Sequence, residues 1–178
     1  MKIIYPLFLV CGLAFAADAQ ETTKAATETA APTNAAAAPV VTLQAADATV
    51  TAPLVLTNGS FSQPDTTELA GGGKAIFTFA ITNEGDYVIT AQISAPDEGS
   101  NSFFINVDAD PQDPLMVWDI DVTSGYETRT VSWRGNGDAN SDEISPKKFH
   151  LTAGDHKLII VGREPTGLKS VAICPAAK

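Results

Sequence analysis

Chemistry in this 178-residue chain would have to come from a short set of side chains. Acidic groups cluster twice, as Asp108, Asp110 and Asp113 in DADPQDP and as Asp138, Asp142 and Glu143 in DANSDE. Hard carboxylate oxygens suit calcium, but neither cluster has the turn glycine and closing glutamate of an EF-hand loop, and Pro111 stiffens the first. Both are expected to be solvated loops. His150 and His156 flank a turn with no cysteine or further histidine at ligand spacing, so no zinc site is expected. There is no G-x-S-x-G elbow, and Cys174 sits in a terminal apolar run without an obvious histidine partner, which argues against nucleophilic catalysis. Carboxylates are plentiful, yet nothing local brings two of them face to face as a glycoside hydrolase requires. The chain is expected to be no enzyme and to need no cofactor. What remains is stacking, because the C–H face of a sugar ring packs on an aromatic face while its hydroxyls take directional hydrogen bonds. Trp118 and Trp133 are the two tryptophans.

The elements that would hold these groups follow an N-terminal segment of a different kind. Residues 1–19 place Lys2 before the apolar run Ile3–Ala16 and end in small residues, the layout of a secretory signal peptide with cleavage before Gln20. The run is too short for a permanent membrane span. Residues 20–39, QETTKAATETAAPTNAAAAP, offer no large apolar side chain to dock on a core and are expected to be a disordered spacer. Removal of Cys11 with the leader leaves Cys174 alone, so stability must come from burial rather than a disulfide. The net charge of −10 disfavours nucleic acid and anionic lipid, and no membrane insertion is expected after leader cleavage. The expected location is secreted or periplasmic.

From residue 40 to the end the chain breaks into short runs rich in Val, Ile, Thr and Phe, separated by turns of Gly, Pro, Asn and Asp. Ten runs qualify as strands: VVTLQ, ATVTAPLVL, AIFTFAIT, DYVITAQISA, SFFINVD, LMVWDIDV, TRTVSW, KFHLT, HKLIIVGRE and LKSVAIC. Alternation assigns Ala75, Phe77, Phe79 and Ile81 to the core face of one strand and Tyr87, Ile89, Ala91 and Ile93 to that of the next. The same rule buries Trp118 with Met116 and Ile120. The DADPQDP corner should limit a sheet edge, since proline cannot donate to a ladder. Arg163 and Glu164, adjacent in HKLIIVGRE, are expected on opposite faces and not as one pair. The fold expected is all-β, a single antiparallel β-sandwich of jelly-roll type over residues 40–178.

The order and spacing of EGDYVITAQI, NSFFINVD, LTAGDHKLIIVGRE and the closing GLKSVAIC resembles the jelly-roll carbohydrate-binding modules of families 6 and 35, the galactose-binding-like β-sandwiches. The resemblance covers about residues 40–174. It implies a non-catalytic protein that recognises a polysaccharide or glycan. It also implies an aromatic on one loop facing a second aromatic, with a polar group completing the site. Trp133 and Asn136 match that pattern in type, with Tyr126 or Phe61 as the second face, and Arg163 and Glu164 stand where the resemblance has a recurring Arg-Glu pair, read as partly structural with one of the two near the ligand edge. The other reading of Trp133, a strand-end indole covering the sandwich edge, stays open. The resemblance further implies a structural calcium between an N-terminal acidic residue and an aspartate near the C-terminus. Here Ala46, beside Gln44 and Asp47, and Ser170 occupy those places, so that site is expected to be absent or weakened. The alternative to a sugar-binding protein is a structural or protein-interaction sandwich whose ligand site has decayed.

Overall fold

The computed structural model describes residues 38–134 and 145–177, and the leader and most of the spacer lie outside them. The described residues fall in one compact unit spanning Ala35–Lys178. Alternating Val, Ile, Phe and Thr fold into twelve strands: β1 Val41–Gln44, β2 Thr49–Val50, β3 Val55–Thr57, β4 Ser60–Ser62, β5 Lys74–Ile81, β6 Gly85–Ser94, β7 Ser102–Val107, β8 Val117–Asp119, β9 Glu127–Thr130, β10 Phe149–Leu151, β11 Gly154–Gly162 and β12 Gly167–Pro175. All strand pairings among the described residues are antiparallel. Seven strands form one sheet, with β10, β6, β12, β4 and β3 in order, β1 beside β12 and β9 beside β6; five form the other, in the order β2-β5-β11-β7-β8. The chain crosses between sheets at β1–β2, β2–β3, β4–β5, β5–β6, β6–β7, β8–β9, β10–β11 and β11–β12, so the two layers are woven from one run of sequence.

Period-two alternation determines what lies between the layers. Phe77, Ile89, Ile93, Phe103, Leu158, Ile160, Leu168 and Ile173 are fully buried there, and Trp118 is 1 % exposed, packed 6.4 Å from Phe103 between ring centroids. The core faces expected of β5 and β6 are the buried ones. Two sequence runs behave differently. ATVTAPLVL divides into β2 and β3 around Pro53, which has no N–H for a ladder. β4 was not among the expected runs. It exists because Asn58 and Gly59 take left-handed φ values of 52° and 75°, the backbone of a two-residue hairpin turn.

Phe61 lies on β4 and is fully buried against Phe77 and Phe103, with centroids 6.2 and 6.3 Å away. As a core residue it offers no face to a ligand, which corrects its place among the candidate site aromatics. The acidic corner is solvent-exposed, as expected, and two of its carboxylates are also engaged. Asp108 accepts from the Lys157 N–H at 2.8 Å and meets Nδ1 of His156 at 2.6 Å, while Asp110 pairs with Lys74 at 2.8 Å.

His156 is buried against Phe79, and its Nε2 lies 2.9 Å from the Thr152 carbonyl. Burial alone would lower its pKa, but the Thr152 carbonyl and the Asp108 carboxylate together outweigh it and raise the pKa above the ordinary histidine value. Both ring nitrogens face acceptors, which is the environment of an imidazolium. A raised folded pKa gives a contribution fully present below the unfolded value and lost as pH rises through the folded one. The melting-temperature difference between the wild type and His156→Gln should therefore be largest near about pH 6 and shrink towards about pH 8. Thermal melts across that range check it. Exposed His150, raised by Asp86 and Glu84, is common to both proteins and drops out of the difference.

Candidate functional site

One end of the sandwich is built from four segments, residues 63–73, 95–101, 120–126 and 163–166, and backbone bonds lock them together. The Thr67 N–H donates to the Arg163 carbonyl, and the Thr123 N–H donates to the Ala95 carbonyl, both at 2.8 Å. Buried Thr123 returns the bond, its hydroxyl accepting from the Ala95 N–H at 2.8 Å and donating to the Gly125 carbonyl at 2.7 Å. Ser102 and Thr166 join the same way, with the Ser102 N–H donating to the Thr166 hydroxyl at 3.0 Å.

Arg163 and Glu164 sit at the centre of this frame. Their side chains do form a pair, Nη1 to Oε1 at 2.6 Å, contrary to the expectation from alternation. The reason is local: β11 ends at Gly162, so neither residue is in a strand and the two-residue period no longer separates them. Glu164 is 8 % exposed; its other oxygen accepts from the Asn101 N–H at 3.1 Å, and Arg163 also donates to the Ser102 hydroxyl at 2.7 Å. With both Glu164 oxygens and the Arg163 Nη1 engaged in these bonds, the pair positions the loop end.

Tyr126 lies on the outside of that frame. It follows Gly125, whose φ of +92° turns the chain before β9, and it is 43 % exposed. The ring rests across Gly167, where a Cβ would come within 2.9 Å of the tyrosine oxygen. The Lys169 ammonium stands 5.8 Å from the ring centroid, inside the range of a weak cation–π contact. Lys169 reaches this place because a register shift between Leu168 and Ser170 in β12 inserts one residue against β6. Tyr126 thus presents an aromatic surface with ammonium donors beside it, a combination suited to a ring with hydroxyls. Neither Lys169 nor Gly167 stood out in the sequence, since both depend on which strands pair.

Trp133 is elsewhere. It lies in a segment that crosses from β9 towards β8, tied there by Arg134, whose Nε and Nη2 donate to the two Asp119 oxygens at 2.6 and 2.8 Å. The indole is half-buried, donates its N–H to the Ile105 carbonyl at 2.9 Å and meets the Phe149 ring edge-on at 5.7 Å. The Lys147 ammonium lies 4.2 Å from its centroid. Of the two readings of this residue, the geometry is that of an indole closing the open edge between the sheets. Asn136 lies outside the described residues, as do Asp138, Asp142 and Glu143.

Of the places implied for calcium, Ala46 lies in the short turn that follows β1, and its neighbour Gln44 at the end of β1 is the register partner of Ser170 on β12. Asp47 turns back to accept from the Gln44 N–H at 2.7 Å, capping the short 3-10 turn Ala45–Asp47. A cleft of about 410 Å³ lies on the outer face of the five-stranded sheet, lined by Leu69, Val161 and Pro111 with the Lys74–Asp110 ion pair across it. No aromatic lines that cleft, so it has nothing to stack on a ring.

The fold of the two woven sheets is similar to the β-sandwich of carbohydrate-binding modules of families 35 and 6. A family 35 module from Clostridium thermocellum superposes with a TM-score of 0.55 at 14 % identity, over 79 % of this chain and 100 % of that one. A family 6 module from a Cellvibrio mixtus lichenase, solved with cellotriose, gives 0.50 at 16 % identity over 79 % and 100 %. A Podospora anserina GH26-CBM35 β-(1,4)-mannanase gives 0.54 at 15 % identity; the match covers 78 % of this chain and 28 % of the mannanase. At these identities the likeness is one of fold. No family model matches the chain, and no curated protein matches it significantly.

Proposed function

We propose that this protein is an exported, non-catalytic carbohydrate-binding protein that recognises a polysaccharide or glycan at the loop end of its sandwich. The observation that carries the reading is Tyr126, an exposed ring held across Gly167 beside Lys169 on a frame of interlocked loops. Its support is threefold. The fold is that of sugar-binding modules, among them one solved with cellotriose. The charge of −10 disfavours nucleic acid and anionic lipid surfaces. The leader-like first residues support export to a secreted or periplasmic location.

The second reading, a structural or protein-interaction sandwich, draws on Ala46 and Ser170 standing where the resemblance implies calcium-binding carboxylates. A glycan array on the purified protein, run with calcium and with EDTA, separates the two. Binding to neutral glycans, equal in both buffers, is the expected result. A blank array in both buffers would leave the interaction role.

A further inference from the structure

The seven-stranded sheet carries one core-facing row of side chains that runs off its edge. Ile93 on β6, Leu168 on β12, Phe61 on β4 and Leu56 on β3 stand abreast, and register partners share a face of the sheet. The first three are fully buried. Leu56 ends the row 41 % exposed, because β3 bonds to β4 alone and no further strand lies beyond it among the described residues. Val55, next to it on the opposite face, is 55 % exposed.

The turn at Asn58-Gly59 decides where the backbone of β3 points. In a two-residue hairpin the pair closing the turn, here Thr57 and Ser60, exchanges hydrogen bonds, and the next pair, Leu56 and Phe61, does not. The Leu56 N–H and C=O therefore face away from β4 into the open edge, and no turn or loop bond among the described residues takes them up. Exposed edge strands are ordinarily blunted by shortness or by charge. β3 is short, with three residues, but the whole stretch 48–64 carries no charged side chain on a protein of net charge −10. The opposite edge of the same sheet differs: β9 carries the Glu127–Arg129 ion pair, and β10 carries His150 between Asp86 and Glu84.

We infer that β3 is the contact through which two copies of this chain pair, edge to edge and antiparallel, about a two-fold axis at Leu56. On that axis each Leu56 N–H donates to the other Leu56 carbonyl, and the two leucines stand abreast on the core face. The buried row of one sandwich then continues into the row of the next. A second copy is the occupant this edge fits, because an antiparallel strand centred on one residue is its own complement. Charge favours the same occupant. Two acidic copies repel least where they meet through uncharged surface, and the stretch offers no carboxylate to draw a basic partner. A three-residue strand buries less than the roughly 1,200 Å² of a stable complex, so the pairing is transient and fills at high protein concentration. The inference is independent of the carbohydrate reading.

The test is analytical ultracentrifugation of the purified protein from micromolar to millimolar concentration, at low and high salt, with exchange of the Leu56 amide followed by NMR over the same range. Dimer should appear as concentration rises and should tighten as salt screens the mutual repulsion. The Leu56 amide, open in the monomer, should exchange more slowly as the dimer fills. Leu56→Lys, at an exposed position, should leave the melting curve in place and weaken pairing by about tenfold or more, whereas Leu56→Ile should keep it. A monomer at every concentration and salt overturns the inference. So does a dimer that Leu56→Lys leaves intact, or one whose formation does not slow the Leu56 amide of the wild type, since either result places the contact on another surface.

Discussion

Trp118→Ala should lower the unfolding free energy by about 3–5 kcal/mol, the range for emptying a large aromatic site in a core that cannot collapse around it. The indole is 1 % exposed on β8, pairs in register with Phe103 and lies beside Ile120 in the same apolar cluster. β8 has three residues and bonds to β7 on one side only, so little else fastens that edge of the five-stranded sheet. The Asp119–Arg134 pair beside it joins β8 to the crossing segment, and loosening β8 loosens that closure too. In a domain of this size the loss corresponds to a fall on the order of 10–20 °C in melting temperature. Trp118→Phe, which keeps a ring in the cavity, should lose less than half as much. Thermal melts of both variants decide the matter, and a thermally silent Trp118→Ala would mean that the β8 edge contributes nothing to the core.

Whether a feature could be seen in the sequence depended on whether it was local. The faces of β5 and β6 follow from alternation within a few residues, and so does the burial of Trp118. β4 had a local signal in Asn58-Gly59, but only three strand residues follow it, in a run whose Ser, Gln and Pro look like loop, and so Phe61 passed for an exposed aromatic. The Arg163–Glu164 pair was hidden by carrying alternation one step past the end of β11. The fate of Trp133 was beyond local reading, because its N–H goes to Ile105, a strand residue of the other sheet. The pairing of β1 with β12 is the extreme case. Thr42 and Ala172 stand at opposite ends of the domain's sequence, and only the β1–β12 register, together with the inserted residue near Lys169, sets them side by side. Sites assembled by register leave almost no trace in spacing.

Tyr126→Ala should abolish glycan binding, by about thirtyfold or more, while leaving the melting curve almost unmoved. The first half follows from the role of a central aromatic anchor, whose truncation costs about 2 kcal/mol or more of binding energy. The second follows from exposure: with 43 % of its surface in solvent, and resting on a glycine beside a 5.8 Å cation contact, the ring holds up little of the fold. Surface truncations of that kind fall within about 0.5 kcal/mol. Trp133→Ala should do the reverse, because it strands the Ile105 carbonyl and removes the ring packed on Phe149; a loss of about 2–3 kcal/mol is expected from the hydrogen bond and the half-buried indole together. Its glycan affinity, measured well below its melting point, should stay near that of the wild type. Tyr126→Phe separates the ring from its hydroxyl: retained affinity assigns recognition to stacking, and a loss equal to that of the alanine variant assigns it to the phenol oxygen beside Gly167. A Trp133→Ala protein that folds but no longer binds, beside a Tyr126→Ala protein that binds as the wild type does, would move the sugar from the loop end to the sandwich edge, where Lys147 stands over the indole.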